Sequence, residues 1–248
     1  IMLAGIYLQR KEYAQAAALY ERVLKQFPNA AGNDEVLLQA GRAYVLQNNH
    51  VRAVASFELL VRDYPSSPLI EEALYAKAES QFSLSLFKDA RRTYGKLFSL
   101  CPATQRKDLL FYRLGLCSFN LGEYEEAANY LRDGFRRSTY TVYAYRAEYL
   151  LAQTYIRQGA VADALALLER LARGGQVKDK EVYFQICFAY ARLSVQERQP
   201  AVAIKVLDRL MRTWHGNYHF AEAVNLKIEV LKNTGKYREA IAAYRSGI

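Results

Sequence analysis

Proline is scarce in this chain, five residues in 248, and glycine is modest at thirteen, so few positions interrupt regular structure. Cysteine is scarcer still. Cys101, Cys117 and Cys187 stand far apart with no CxxC pair, which argues against a disulfide framework or a zinc-binding spacing and predicts buried free thiols. No apolar run approaches the ~18 residues a membrane-spanning helix needs, and the N-terminal IMLAGIYL is too short and uncharged for a signal peptide. GxGxxG, GxxxxGK(S/T) and GxSxG are all missing, so neither a phosphate-cradling loop nor a hydrolase elbow is encoded. Histidine occurs only at 50, 215 and 219. Of these, His215 and His219 sit four apart with Glu222 a further turn on, the spacing of two imidazoles on one helix face. Gly216 and Asn217 interrupt that helix, and a polar loop or capping role is the expectation instead of a metal site. His50 is expected to pack.

What is present is a chain able to bury a core, 52% hydrophobic and 24% charged. The net charge of +9 is spread over most of the length, with only short clusters such as RDGFRR at 132–137. A solvated basic surface explains that pattern better than a nucleic-acid footprint, which would repeat cations in register on one face. The acidic pairs at 71–72 and 125–126 fall where helices should begin, and negative charge there favours the positive end of the helix dipole. No constellation for acid–base chemistry is visible.

The organisation lies in a repeat. Ala16, Ala53, Ala90, Ala127, Ala164, Ala203 and Ala240 are separated by steps of 37, 37, 37, 37, 39 and 37 residues. Three residues before each come Tyr13, His50, Phe87, Tyr124, Val161, Pro200 and Tyr237, and four after come Tyr20, Phe57, Tyr94, Leu131, Leu168, Leu207 and Tyr244. Pro28, Pro65 and Pro102 follow the first three alanines by twelve. Gly122, Gly159 and Gly235 precede three others by five, with Asn48 and Ser85 in the same place. Each unit reads as two helices. The first ends at the glycine or its substitute, and the second runs from the aromatic to the proline. A pair this short cannot bury both faces alone, so stacking must supply the rest of the core.

LGLCSFNLGEYEEAANYL at 114–131 resembles the tetratricopeptide repeat, with Leu114, Gly115, Gly122, Tyr124, Ala127 and Leu131 at signature positions. The resemblance covers nearly the whole chain. It implies an all-α, right-handed superhelical solenoid of about seven helix pairs, as one domain over 1–248. The units fall at about 1–30, 31–67, 68–104, 105–138, 139–176, 177–216 and 217–248. Departures are a period of 37 where the family's is 34, extra residues near 193–200, and a missing signature tryptophan, since Trp214 lies elsewhere. The joints FPN and YPSSP are similar to those of bacterial cell-envelope proteins, namely the helical-repeat lipoprotein of the barrel-assembly machinery and the Tol–Pal coordinator. A chain that begins and ends within helical pattern is expected to be a piece of a longer one.

One stripe of the first helices carries the candidate site. Tyr75, Tyr112, Tyr149 and Phe184 share a slot, and four and seven residues along the stripe lie Glu79 and Phe82, Leu116 and Phe119, and Gln153 and Ile156. In the family, first helices line the concave surface. The resemblance therefore implies an aromatic ladder along a groove, with Arg42, Glu79, Arg146, Gln153 and Arg157 as polar edges. The same stripe would also serve packing between neighbouring first helices, and both readings stand. The resemblance implies a non-catalytic scaffold that needs no cofactor and binds a protein or peptide segment in that groove. Its setting would be a periplasmic or outer-membrane-associated assembly, with a lipid anchor, if any, outside this stretch. A cytoplasmic setting is the alternative, because three unpaired thiols suit a reducing compartment. The other class to weigh is an accessory module of a larger enzyme or nucleic-acid-binding protein. The chaperone-tail clamp of the family is absent, since its asparagine slot holds Gly5, Arg42, Glu79, Leu116, Gln153, Phe188 and Glu229.

Overall fold

A computed structural model describes residues 2–137, 142–174, 179–213 and 218–246. Among them lie fourteen α-helices in seven consecutive pairs and no strand. The pairs are α1 (Met2–Gln9) with α2 (Tyr13–Gln26), α3 (Asn33–Leu46) with α4 (His50–Asp63), α5 (Ile70–Ser83) with α6 (Phe87–Leu100), and α7 (Lys107–Asn120) with α8 (Tyr124–Arg137). Then follow α9 (Val142–Gln158) with α10 (Val161–Arg173), α11 (Lys180–Gln196) with α12 (Pro200–Thr213), and α13 (Tyr218–Asn233) with α14 (Tyr237–Ser246). The all-α repeat fold is the one the sequence predicts. Every second helix starts on the residue three before the repeating alanine, and α2, α4 and α6 each stop two residues before their proline.

The turn inside each pair has one construction. Lys11, Asn48, Ser85, Gly122, Gly159, Arg198 and Gly235, each five before its alanine, all adopt left-handed backbone, with φ between 57° and 78°. The next residue's N–H then reaches back five positions to a first-helix carbonyl, as Asn49 to Tyr44, Leu86 to Gln81 and Gln199 to Ser194, at 2.7 to 2.9 Å. These bonds satisfy carbonyls that the helix end leaves open. Lys11 and Arg198 carry no sequence signal for such a turn.

The chain forms two compact units, Ile1–Tyr130 and Leu131–Ile248. In the first, helices α1 to α7 pack each on the next, so every second helix is shared between its own pair and the following one. The repeating alanines lie at these crossings and are fully buried from Ala16 through Ala203. Phe57, Tyr94, Leu60, Leu74, Leu97 and Leu110 fill the layers between them. Gly41 occupies the matching small position of α3, and a Cβ there would meet the Phe57 ring at 2.3 Å. Side-chain absence is what lets α4 lie so close to α3. The second unit repeats the scheme over α9 to α14 around Leu168, Ile186, Cys187, Leu207 and Leu210.

The joints between pairs also repeat. In YPSSP, the Ser67 hydroxyl accepts from the Leu69 N–H at 3.1 Å and donates to Asp34, in the first turn of α3, at 2.5 Å. Thr104, one period on, accepts from the Arg106 N–H at 3.1 Å and donates to Glu71, in the first turn of α5, at 2.8 Å. Each hydroxyl opens its own helix and ties it to the start of the preceding first helix. Glu71, expected only to complement a helix dipole, is thus also a joint acceptor.

All three thiols are free. Burial pushes Cys117 up to about 12 and Cys187 up to about 11, so both stay protonated and unreactive.

Candidate docking face on the first helices

The stripe is built in two separate stretches, one per unit. In the first unit Tyr75 projects half-buried from α5, with its ring 6.4 Å from the fully buried Tyr94 ring and the Arg106 guanidinium 4.7 Å above its face. Burial and then the nearby Glu79 carboxylate raise its pKa, so the hydroxyl stays protonated. Glu79 is tied down on both oxygens: the Tyr94 hydroxyl donates to one, and Arg113 of α7 reaches the other at 2.5 Å. Arg42 occupies the equivalent slot on α3 and pairs with Glu72 of α5. Ion pairs therefore lace α3 to α5 through Arg42–Glu72, and α5 to α7 and its start through Arg113–Glu79 and Arg106–Glu71.

The outer rung behaves differently. Phe82 packs edge-on against Phe87 at 5.2 Å, and Phe119 against Tyr124 at 5.5 Å, which places both rings over the turn between their two helices. The Arg113 guanidinium also covers Phe82, 5.3 Å from its centre. Tyr112 is half-buried on α7. These aromatics serve packing on one side and face outward on the other.

In the second unit Tyr149 is half-buried against the core beside Gln153, and burial raises its pKa. Phe184, at 3% exposure, is core: Phe188 stacks on it at 5.4 Å and His219 lies 4.2 Å from its centre. Arg146 is exposed and pairs with Asp179 at 2.9 Å across α9 and α11, while Arg157 is exposed near the end of α9. His219 is held by Glu181 at 2.6 Å and Glu222 at 3.3 Å. Its sequence neighbour in the weighed metal pair, His215, lies outside the described residues, as does Trp214.

The structure adds a feature that spacing did not reveal. A cavity of about 580 Å³ opens on the first-helix stripe between α3, α4 and α5. Val45, Leu46, Tyr75 and Ala76 give it apolar walls, and Arg42, His50, Glu72, Glu79 and Arg106 its polar ones. Its volume falls within the ~300–1,000 Å³ of ordinary ligand clefts. Arg42, Tyr75 and Glu79 were legible as one stripe, but His50 and Arg106 come from other elements, and only the folded chain brings them there.

Helix pairs joined by a left-handed turn, with alanines at each crossing and a side-chain stripe along the first helices, define a helical-repeat protein. Family models described as "Tetratricopeptide repeat" match residues 7–78 and 111–177, together more than half of the chain. The chain belongs to the tetratricopeptide-repeat family. Among solved structures it is similar to the C-terminal part of a TPR repeat-containing protein from Cytophaga hutchinsonii, with a TM-score of 0.74 at 14% identity over 99% of this chain and 93% of that one. It is also similar to PilW, described as a widely conserved type IV pilus biogenesis factor, with a TM-score of 0.61 at 19% identity over 86% and 91%. PilF of Pseudomonas aeruginosa gives 0.57 at 15% over 89% and 93%. No curated protein matches the sequence.

Proposed function

We propose that this chain is a non-catalytic scaffold that docks a peptide segment or helix of a partner protein on the first-helix face of its repeats. The observation that carries this reading is the cavity at Tyr75, which is concave, mainly apolar in its walls and edged by charged groups held in fixed ion pairs. Tyrosine suits such a face, offering a broad apolar ring and one hydroxyl at little entropic cost. The site residues proposed are Tyr75, Tyr112, Tyr149, Arg42, Glu79, Phe82, Phe119, Arg146, Gln153 and Arg157. Phe184 supports that face from beneath. A bacterial envelope assembly is the proposed setting, and the likeness in fold to PilW and PilF agrees with it. Among the described residues no helix is long and apolar enough to cross a membrane, so membrane attachment in that setting would come from elsewhere.

The test is site-specific photo-crosslinking in cells. A benzoylphenylalanine at Val45, on the cavity rim, should trap a discrete partner, and one at Lys96, exposed on α6, should not. Adducts should disappear when Tyr75→Ala is added to a chain whose helical circular dichroism is retained. Equal trapping at both positions, or trapping indifferent to Tyr75, would overturn the proposal.

A further inference from the structure

Folding gathers the net charge of +9 onto the outer ridge of the second helices. The positions two, six and nine residues after each repeating alanine share one helix face, turned away from the alanine and from the core residue four after it. Twenty such positions fall within the chain. Eleven carry Lys or Arg and one, Asp133, carries an acid, which leaves 23 cations and 24 acids for all other positions. The ridge therefore holds the whole positive excess, and cations that look scattered along the chain recur in register.

In the first unit these cations are Arg22 and Lys25 of α2, Arg62 of α4, and Arg92 and Lys96 of α6, and every ridge position on the three helices is exposed. Arg62 pairs with Asp63 and Arg92 with Asp89, each at 2.7 Å on its own helix. Arg22, Lys25 and Lys96 have no ion pair among the described residues. Neighbouring acids turn toward the following first helix: Glu21 accepts from the Tyr44 hydroxyl, and Glu58 pairs with Lys77 of α5. The second unit, taken by itself, has the same bias, with Arg170 and Arg173 on α10 and Lys205, Arg209 and Arg212 on α12 all exposed. There Arg170 pairs with Glu148 and Arg173 with Glu169. Attraction to helix C-termini does not account for the ridge. It would act equally on the first helices, yet the last turns of α1, α3, α5, α7 and α11 hold no cation. Arg92 and Lys205, moreover, lie in the first half of their helices.

Leu59 stands within this ridge, and Phe27 and Leu100 lie at the ends of α2 and α6; all three are large apolar side chains exposed to solvent. No aromatic residue occupies a ridge position, so none is there to stack on a base. A surface both cationic and set with apolar side chains complements the headgroup layer of an anionic bilayer. Phosphates meet the cations, and leucine reaches the acyl boundary. A nucleic-acid duplex would meet the same charges but gain nothing from Leu59, Phe27 and Leu100. We infer that the outer ridge of α2, α4 and α6 is a peripheral membrane contact for anionic phospholipid. It stands apart from the docking reading, which concerns the first helices. Such a contact adds to an anchor and does not replace one, because a basic surface is one of the two signals that stable attachment takes.

Vesicle flotation of the full 248-residue chain tests this at physiological salt, with phosphatidylcholine alone and with an equal mixture of phosphatidylcholine and phosphatidylglycerol. Only the anionic vesicles should carry the chain. A Lys or Arg near an anionic surface contributes about fivefold to partitioning, so Arg22→Gln, Lys25→Gln and Lys96→Gln together should lower it about a hundredfold. Arg10→Gln, Lys11→Gln and Lys107→Gln remove the same charge from exposed positions off the ridge and should lower it less than about fivefold. Leu100→Ser, at a side chain 56% exposed, should weaken vesicle binding severalfold, with helical circular dichroism retained in every variant. Equal losses in the ridge and off-ridge variants would reduce the effect to net charge and overturn the inference. Failure to bind anionic vesicles would overturn it as well. Duplex DNA captured at the same salt and lost in the ridge variant, with Leu100→Ser without effect on vesicles, would assign the ridge to nucleic acid instead.

Discussion

At the scale of single residues, four of the seven intra-pair turns place a side chain in the left-handed region where glycine is at ease. Arg198, with φ of 57° and an exposed side chain, is the clearest case. Left-handed backbone costs a non-glycine residue about 1–2 kcal/mol, partly offset by glycine's greater freedom when unfolded. Arg198→Gly should therefore stabilise the chain by about 0.5–1 kcal/mol in urea denaturation. These turns also mark a limit of reading from sequence. Glycine at 122, 159 and 235 announces the conformation, whereas Lys11 and Arg198 adopt it because the surrounding helices require it. His219 makes a second residue-scale prediction. Burial works against its charged form, but hydrogen bonds to Glu222 and Glu181 win and raise its pKa. The stabilisation is fully present below the ordinary imidazole value and is lost as pH rises through the raised one. Thermal melts should accordingly show the melting temperature falling as pH rises from the ordinary imidazole value through the raised one, with His219→Gln flattening that slope.

At the scale of helices, two glycines predict opposite outcomes. Gly41 faces the Phe57 ring, so Gly41→Ala must push α3 and α4 apart and should cost about 1–3 kcal/mol. Gly95, inside α6, has open space where a Cβ would go, so Gly95→Ala should gain up to about 1 kcal/mol. Urea titration of both variants checks the sign. Helix limits and crossings were legible because the alanine, the aromatic three before it and the proline recur in one register. The stripe was legible as a face but not as a depth. Tyr75 and Phe184 share a slot, yet one borders a cavity and the other lies under Phe188 and His219. What covers Phe184 includes a residue 35 positions away in another helix, which a period cannot report. The same limit hid Arg106, whose place over Tyr75 depends on the joint at Thr104.

At the scale of the whole chain, stability in a repeat array is a sum of local terms between neighbours, so damage should stay near its source. In hydrogen-exchange mass spectrometry, Gly41→Ala should lower amide protection across α3 to α5 and leave α11 to α13 unchanged. A uniform loss of protection would show the chain to be one cooperative block.

The joint hydroxyls carry a different kind of consequence. Ser67 to Asp34 and Thr104 to Glu71 are the same bond one period apart. Excising residues 34–70 would splice Asn33 directly to Glu71, and Thr104 would still find its acceptor. Length is thus open to change by whole modules, through duplication or loss, without redesigning a junction. The cavity is not: the shortened chain would lose Arg42, Val45, Leu46 and His50 together, so a single recombination could delete the recognition site while preserving the scaffold.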